Sequence, residues 1–291
     1  MQNSDLFSVT EPILFFGGPY SNFQATEALL SEARRLGLPP GRIICTGDVV
    51  AYGGDPIATT ELIMESGIHV VMGNCEESLG FDADDCGCGF EPGSSCDTLS
   101  SQWFAFAASR LEQSHRAWMR GLPRRIDLTV GSIELAVIHG GADDISQFVF
   151  DSMDPAETGY QIESLSKERH VDGVVGGHCG LPFTRQSGAY LWHNPGVIGV
   201  PANDGTPRAW YSLITPSSGG LEISHRSLCY DFETASARIR KQDLPNAYAD
   251  ALVSGLWPSV DVLPPQERRR RGRPIDPWTA HWAPPNAAAA E

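Results

Sequence analysis

The sequence lacks long apolar runs and is poor in positive charge. No apolar run approaches the roughly 18–20 residues that a membrane-spanning helix needs, so we expect no membrane span. The N-terminal segment MQNSDLFSVTEP has no basic stretch followed by an apolar core, so we expect no signal peptide and a cytoplasmic location. The chain has 21 Lys and Arg against 36 Asp and Glu, and the resulting net charge of −15 disfavours a broad contact with nucleic acid. A small phosphorylated substrate is still compatible, because bound cations invert the local field.

The first two thirds of the chain alternate between short apolar runs and helical patterns. Predicted strands and helices there include Pro12–Phe16, Phe23–Leu36, Arg42–Cys45, Pro56–Ser66 and His69–Met72. This alternation predicts a largely parallel sheet flanked by helices. Further strands near 189–193, 208–214 and 220–228 predict a second sheet packed on the first.

Two segments do not fit the alternation. Residues 73–96 are rich in Gly, Asp and Cys and are too long for a plain connection, so we expect a functional loop. We therefore predict one domain at 1–256 with a Cys-rich insertion at 77–97, followed by an irregular Pro-, Arg- and Ala-rich tail at 257–291. The basic block at 268–273 is interpreted as a solvated tail, with an arm for an anionic partner as the alternative.

Five short polar segments lie at the ends of predicted strands or loops. They are Gly17–Asn22, Gly47-Asp48, Gly73–Glu76, His139-Gly140 and Gly177–Gly180. Their order and spacing resemble the calcineurin-like metallophosphoesterases, especially the compact bacterial phosphodiesterase-like branch. The segment Asn194–Pro201 also resembles that branch, and the similarity extends over roughly residues 12–255.

The resemblance implies an α/β fold, a four-layer α/β/β/α sandwich of two mixed sheets flanked by helices. It also implies a pair of metal ions at the strand ends, which in such enzymes bind phosphate oxygens and activate water. One of the two metal positions is altered in this chain. Its usual Asp, first His and final His are replaced by Gly18, Tyr20 and Gly180, so only the bridging Asp48 remains.

The ligands of the other metal position are all present. The resemblance assigns them to Asp48, Asn74, His139 and His178, a set that suits one Mn, Fe or Zn ion. Asp48 and Asn74 are also expected to act in catalysis. Cys75 replaces the usual His of the third motif, and Tyr20 is a candidate donor to a phosphate oxygen.

The cysteines leave two hypotheses open. Cys86, Cys88 and Cys179 could supply thiolates for a replacement metal site or an iron centre near the cleft. Alternatively, the cysteines of the loop are free thiols or form a local disulfide.

Two functions follow from these patterns. The first is a metal-dependent phosphoester hydrolase acting on phosphodiesters or nucleotides. The second is a catalytically degenerate relative that binds a metal, a nucleotide or a partner. We favour the hydrolase, because one complete set of metal ligands is retained.

Overall fold

The structure, a computed structural model, describes residues 3–91, 93–242 and 244–285. The strands are β1 (Asn3–Val9), β2 (Ile13–Phe16), β3 (Ile43–Cys45), β4 (His69–Val70), β5 (Arg125–Val130), β6 (Ile133–Val137), β7 (Gly173–Val175), β8 (Pro182–Ser187), β9 (Tyr190–Pro195), β10 (Ala209–Ser217), β11 (Gly220–Leu228) and β12 (Trp278–Trp282). The helices are α1 (Phe23–Arg35), α2 (Pro56–Ser66), α3 (Asn74–Gly80), α4 (Ser95–Ala108), α5 (Gln113–Arg120), α6 (Pro155–Ser166), α7 (Phe232–Arg240), α8 (Asn246–Ser254) and α9 (Pro265–Arg270).

The strands form two six-stranded sheets of mixed direction. The strand order is β12-β11-β10-β2-β3-β4 in one sheet and β1-β5-β6-β7-β9-β8 in the other. In the first sheet β2 pairs parallel with β3 and antiparallel with β10. In the second, β5 and β6 form an antiparallel hairpin while β6 and β7 run parallel.

Alternating side chains along these strands pack into separate apolar cores. Phe15 of β2 and Leu135 of β6 belong to the core between the two sheets. Leu14 packs instead among the helices outside the first sheet, and Ala136 packs outside the second sheet with Ile162 of α6. Successive side chains of a strand point to opposite faces of its sheet. Each sheet therefore packs on the other sheet through one face and on helices through its other face, which gives four layers separated by three apolar cores. The predicted four-layer α/β/β/α sandwich is confirmed.

The motif segments follow strands of both sheets. β2 and β3 lead into Gly17 and Thr46, and β6 and β7 lead into the segments with His139 and His178. Since the carboxyl ends of parallel strands meet at one edge of a sheet, these segments converge where the two sheets face each other. The fold therefore brings distant motifs to one place.

The Cys-rich segment is more ordered than predicted. Helix α3 begins at Asn74, and α4 begins at Ser95, so Cys96 is helical. The irregular connection is thereby reduced to residues 81–94, of which residue 92 lies outside the described part. Three residues separate the end of β4 from the start of helix α3, which is too short for sequence periodicity alone to indicate it.

The prediction of an irregular tail from residue 257 is wrong for the described residues. Helix α9 carries Glu267, which is buried and accepts hydrogen bonds from Ser152. Strand β12 pairs antiparallel with β11 and buries Trp282. No tight turn joins β11 to β12, so the sequence carries no local signal that these strands pair. The composition of the segment was therefore the feature that suggested a tail. Residues 286–291 of the predicted tail lie outside the described residues.

Candidate metal centre

Four donor atoms converge on one point at the strand ends. The Nε2 atom of His139 lies 3.2 Å from Asp48 Oδ2, 3.0 Å from Asn74 Oδ1 and 3.1 Å from His178 Nδ1. Within the described part of the chain, Asp48, His139 and His178 are the group of three acidic, His or Cys side chains whose ligand atoms lie close enough to hold one metal ion. The structure thus brings together all four predicted metal ligands.

Hydrogen bonds to neighbouring carbonyl groups determine which atoms face this point. His139 Nδ1 lies 2.6 Å from the carbonyl oxygen of Thr46, which can only accept, so Nδ1 carries a proton and Nε2 is the nitrogen that faces the cluster. Asn74 Nδ2 donates to the carbonyl oxygen of Cys86 at 2.9 Å, which turns Oδ1 towards His139. His139 Nε2, Asn74 Oδ1, Asp48 Oδ2 and His178 Nδ1 therefore face one another in a buried site, where a cation could be bound by all four.

The electrostatics of the cluster agree with a cation site. Burial alone would raise the pKa of Asp48, but neighbouring His139 holds it below its ordinary value. Burial and the proximity of His139 lower the pKa of His178 to about 3, so His178 is neutral at physiological pH. Burial alone would lower the pKa of His139, but the charge of Asp48 holds it above its ordinary value, so a metal ion would bind there by displacing a proton.

The backbone at two of these ligands is unusual. Asp48 has φ of 58° and His178 has φ of 57°, in the left-handed region that side-chain-bearing residues rarely adopt. Such conformations cost on the order of 1 kcal/mol or more and persist only where surrounding contacts impose them. The strain is concentrated where the two side chains are aimed at one point.

Glu76 supplies contacts that hold one of these turns, and its role was not predicted from the sequence. One carboxylate oxygen accepts from the backbone N–H groups of Asp48 and Gly73, at 2.7 and 3.0 Å. The other accepts from Val49 and Val50, at 2.8 and 3.3 Å. Burial, followed by the charge of Asp48, raises the pKa of Glu76 to about 7. The available signal was an acidic residue in the first turn of α3.

Tyr20 and Cys75, the other predicted catalytic residues, differ in their access to the cleft. Tyr20 lines the cleft beside Asp48, and burial together with the charge of Asp48 raises its pKa, so its phenol stays protonated. Cys75 is buried with 1% of its surface exposed, and burial raises the pKa of its thiol. Its backbone N–H donates to Asp48 Oδ1 at 3.2 Å.

Aromatic rings lie against the two glycines that replace predicted family ligands. A Cβ atom built on Gly18 would lie 2.3 Å from Cζ of Tyr20, and one built on Gly180 would lie 3.2 Å from the ring of Trp257. Gly18 also has φ of 36°, which disfavours a side chain. The rings of Tyr20 and Trp257 thus fill the space into which side chains at these positions would project.

The cysteines do not form the replacement metal site that the sequence suggested. Cys86 and Cys88 are paired in a disulfide, and disulfide sulfurs lack the thiolate charge that binds a metal. Cys179 is buried, its thiol contacts the carbonyl oxygen of Leu181, and burial raises its pKa to about 12. None of these sulfurs joins the metal-ligand cluster of the described residues. The loop does fold back over the cleft, where Cys88 and Phe90 line it.

Comparisons with known proteins agree with the fold. The family model of the calcineurin-like phosphoesterase superfamily domain matches residues 21–217. An uncharacterised protein of Methanocaldococcus jannaschii is 23% identical over 255 residues, covering 81% of this chain and 95% of the relative.

Two solved structures share the fold. A metallophosphoesterase from Sphaerobacter thermophilus is 20% identical with a TM-score of 0.65, covering 85% of this chain and 100% of that one. A hypothetical protein from Pyrococcus horikoshii is 16% identical with a TM-score of 0.67, covering 84% and 99%. With the family model matched over most of its length, the chain belongs to the calcineurin-like phosphoesterase superfamily.

Proposed function

We propose that this chain is a metal-dependent phosphoester hydrolase that works with one metal ion, held by Asp48, Asn74, His139 and His178. The observation that carries the proposal is the convergence of their ligand atoms around Nε2 of His139, which lies 3.2, 3.0 and 3.1 Å from the atoms of Asp48, Asn74 and His178. Two imidazoles, a carboxylate and an amide suit Mn, Fe or Zn. When bound, such an ion would polarise a phosphoryl oxygen and lower the pKa of water.

Three residues near the proposed metal site have distinct roles in this function. Tyr20 is a neutral phenol in the cleft and can donate a hydrogen bond to a phosphoryl oxygen. Cys75 acts through its backbone N–H, which orients the Asp48 carboxylate, because its buried thiol stays protonated. Glu76 holds the backbone of the turn that carries Asp48.

The second metal position of the family is closed in this proposal. The rings of Tyr20 and Trp257 support it, because they take the space beside Gly18 and Gly180 where ligands would have to project. Paired ions clamp both the attacking and the leaving oxygen, so a single ion implies a slower hydrolysis. Small phosphodiesters and nucleotides are the proposed substrates.

None of the described helices has the length and apolarity to cross a bilayer.

Hydrolysis of bis-p-nitrophenyl phosphate tests the proposal. Metal-free protein is reloaded with Mn²⁺, Fe²⁺ or Zn²⁺ and compared with Asp48→Asn and with Asp143→Asn, the same change at an exposed site. We expect Asp48→Asn to lower the metal-dependent rate by about 100-fold or more, because altering even outer-shell partners costs about 10–100-fold. Asp143→Asn should retain the rate. If no phosphoester in a panel is hydrolysed above the Asp48→Asn background, the chain is a binding protein.

A further inference from the structure

A cavity of about 90 Å³ opens beside the metal-ligand cluster. Asp48 and His178 belong to its wall, and aromatic rings form much of the remainder. We call this space the aromatic pocket, and its rings belong to Tyr20, Tyr52, Phe90, Phe148, Tyr248 and Trp257. One water molecule needs roughly 10–15 Å³, so the pocket holds a group larger than a single water.

Mutual contacts hold the rings of the aromatic pocket in place. Tyr52 stacks on Tyr248 with centroids 4.9 Å apart and meets Tyr20 edge-on at 4.9 Å. On the opposite side, the ring of Phe148 packs on His178 at 4.2 Å. Trp257 donates from its indole nitrogen to the carbonyl oxygen of Pro201 at 2.7 Å. The walls come from distant segments but are fixed against one another.

The chemistry of the lining restricts what can bind. Tyr52, Phe90, Phe148 and Trp257 stay partly exposed, leaving apolar ring surface in contact with water. Asp48 is the only Asp, Glu, Lys or Arg among the lining residues, so a second phosphate or a charged tail would find no cationic partner. Aromatic rings prefer other rings, offset-stacked or edge-to-face, at about 4.5–7 Å between centroids. A flat aromatic ring matches this surface better than a sugar or a polyphosphate.

We infer that the aromatic pocket binds a flat aromatic ring carried by the alcohol part of the phosphoester. The inference rests on the proposed function, because the metal-ligand cluster beside the pocket takes the phosphoryl group. Trp257, which is partly exposed, is then a specificity-determining residue that contacts the ring. The ring can belong to a nucleoside or to a simple aryl alcohol, and the two sources share the same stacking chemistry.

Calorimetric titration of non-hydrolysable probes into metal-loaded protein tests the inference without turnover. Phenylphosphonate and the phosphonate analogue of adenosine 5′-monophosphate carry rings, and methylphosphonate is the ring-free probe. We expect at least one ring-bearing probe to bind about tenfold more tightly than methylphosphonate, as stacking contributes about 0.5–1.5 kcal/mol beyond area burial. The tighter of the two identifies the source of the ring.

Two tryptophan variants locate the effect. Trp257→Leu should bring the ratio between ring-bearing and methylphosphonate affinities close to one, and its urea unfolding transition shows separately that the variant is folded. Trp118→Leu, at a partly buried position on α5 outside the aromatic pocket, should keep the preference. Equal affinity for ring-bearing and ring-free probes in the wild type, including no binding of either, overturns the inference. A ring preference without metal-dependent hydrolysis of any ester contradicts the proposed function instead.

Discussion

At the scale of single residues, backbone carbonyl groups orient two side chains of the candidate site. A proton of His139 is fixed on Nδ1 by the carbonyl oxygen of Thr46, and the amide of Asn74 is oriented by the carbonyl oxygen of Cys86. Both orienting partners are backbone groups, so they leave no trace in side-chain motifs. Glu76 orders the turn at Asp48 in the same way, through four backbone N–H groups.

Replacing Glu76 by Gln should destabilise the protein by about 2–4 kcal/mol, because an amide N–H₂ would face two backbone donors in a buried site. The free energy of unfolding in urea measures the effect. Glu65→Gln, the same change at an exposed position of α2, should stay within about 0.5 kcal/mol of wild type. Equal stability of the two variants would contradict the role given to Glu76.

A double-mutant cycle tests whether the ring of Tyr20 fills the space beside Gly18. Gly18→Ala should cost about 2 kcal/mol or more, since its methyl would collide with the ring at a left-handed φ. Tyr20→Ala combined with Gly18→Ala should recover about 1 kcal/mol or more relative to additivity. Additive effects in urea unfolding would show that the two positions do not share this space.

The sequence predicted which side chains lie together at the candidate site better than it predicted their surroundings. Asp48, Asn74, His139 and His178 were found because each lies at a fixed place in an ordered motif. The local disulfide between Cys86 and Cys88 was one of the alternatives left open, whereas the four contacts of Glu76 depend on how a loop folds back, which spacing does not encode. The ring of Trp257 against Gly180 joins residues far apart in the chain, and residue 257 had been assigned to a tail.

At the scale of elements, the two sheets are joined by a buried polar network as well as by apolar packing. His193 of β9 contacts Ser212 of β10 at 2.7 Å and Thr184 of β8 at 2.8 Å. Thr184 also contacts His225 of β11 at 2.6 Å, and the imidazole of His225 stacks on Trp278 of β12. The sequence analysis did not predict strands β8 and β12. Their pairing with β9 and β11 places them in the sheets, and their own sequences show no clear strand periodicity.

This network predicts acid sensitivity. Burial lowers the pKa of His193 to about 3, and burial with the proximity of His193 lowers that of His225 to about 2. Between these values and the ordinary pKa of about 6.5, the unfolded chain binds protons that the folded protein excludes, so stability falls as pH falls. Each histidine adds roughly 1.4 kcal/mol per pH unit to that loss.

Urea unfolding of wild type and His193→Gln at pH 7 and pH 5 measures this effect. The variant should lose less stability on acidification than the wild type, although it is less stable at pH 7. The same loss in both proteins would show that His193 is not the group that takes up the proton.

At the scale of the whole molecule, the C-terminal segment completes both the fold and the cleft. Trp257 lines the aromatic pocket, Glu267 is buried against Ser152, and β12 covers the edge of β11. One arginine of the basic block is held by the body of the protein, since Arg270 pairs with Asp151, while Arg268 donates to Leu263 within the segment. The composition of this segment resembles that of a solvated tail, but its contacts are long-range.

Ending the chain after residue 256 should therefore strongly destabilise the protein, because it exposes the edge of β11 and leaves buried partners unpaired. A lower urea midpoint and increased aggregation are the expected results. A truncated chain as stable as the full one would restore the original expectation of a domain at 1–256 with a separate tail.

The metal content of the purified chain tests the central claim most directly. Metal-free protein is reloaded with Mn²⁺, Fe²⁺ or Zn²⁺, desalted and measured by elemental analysis alongside His178→Ala and the exposed control His170→Ala. The account predicts about one equivalent of one of these metals in wild type and control, and loss of that metal from His178→Ala. Two tightly held equivalents, or none with any of the three metals, would contradict it.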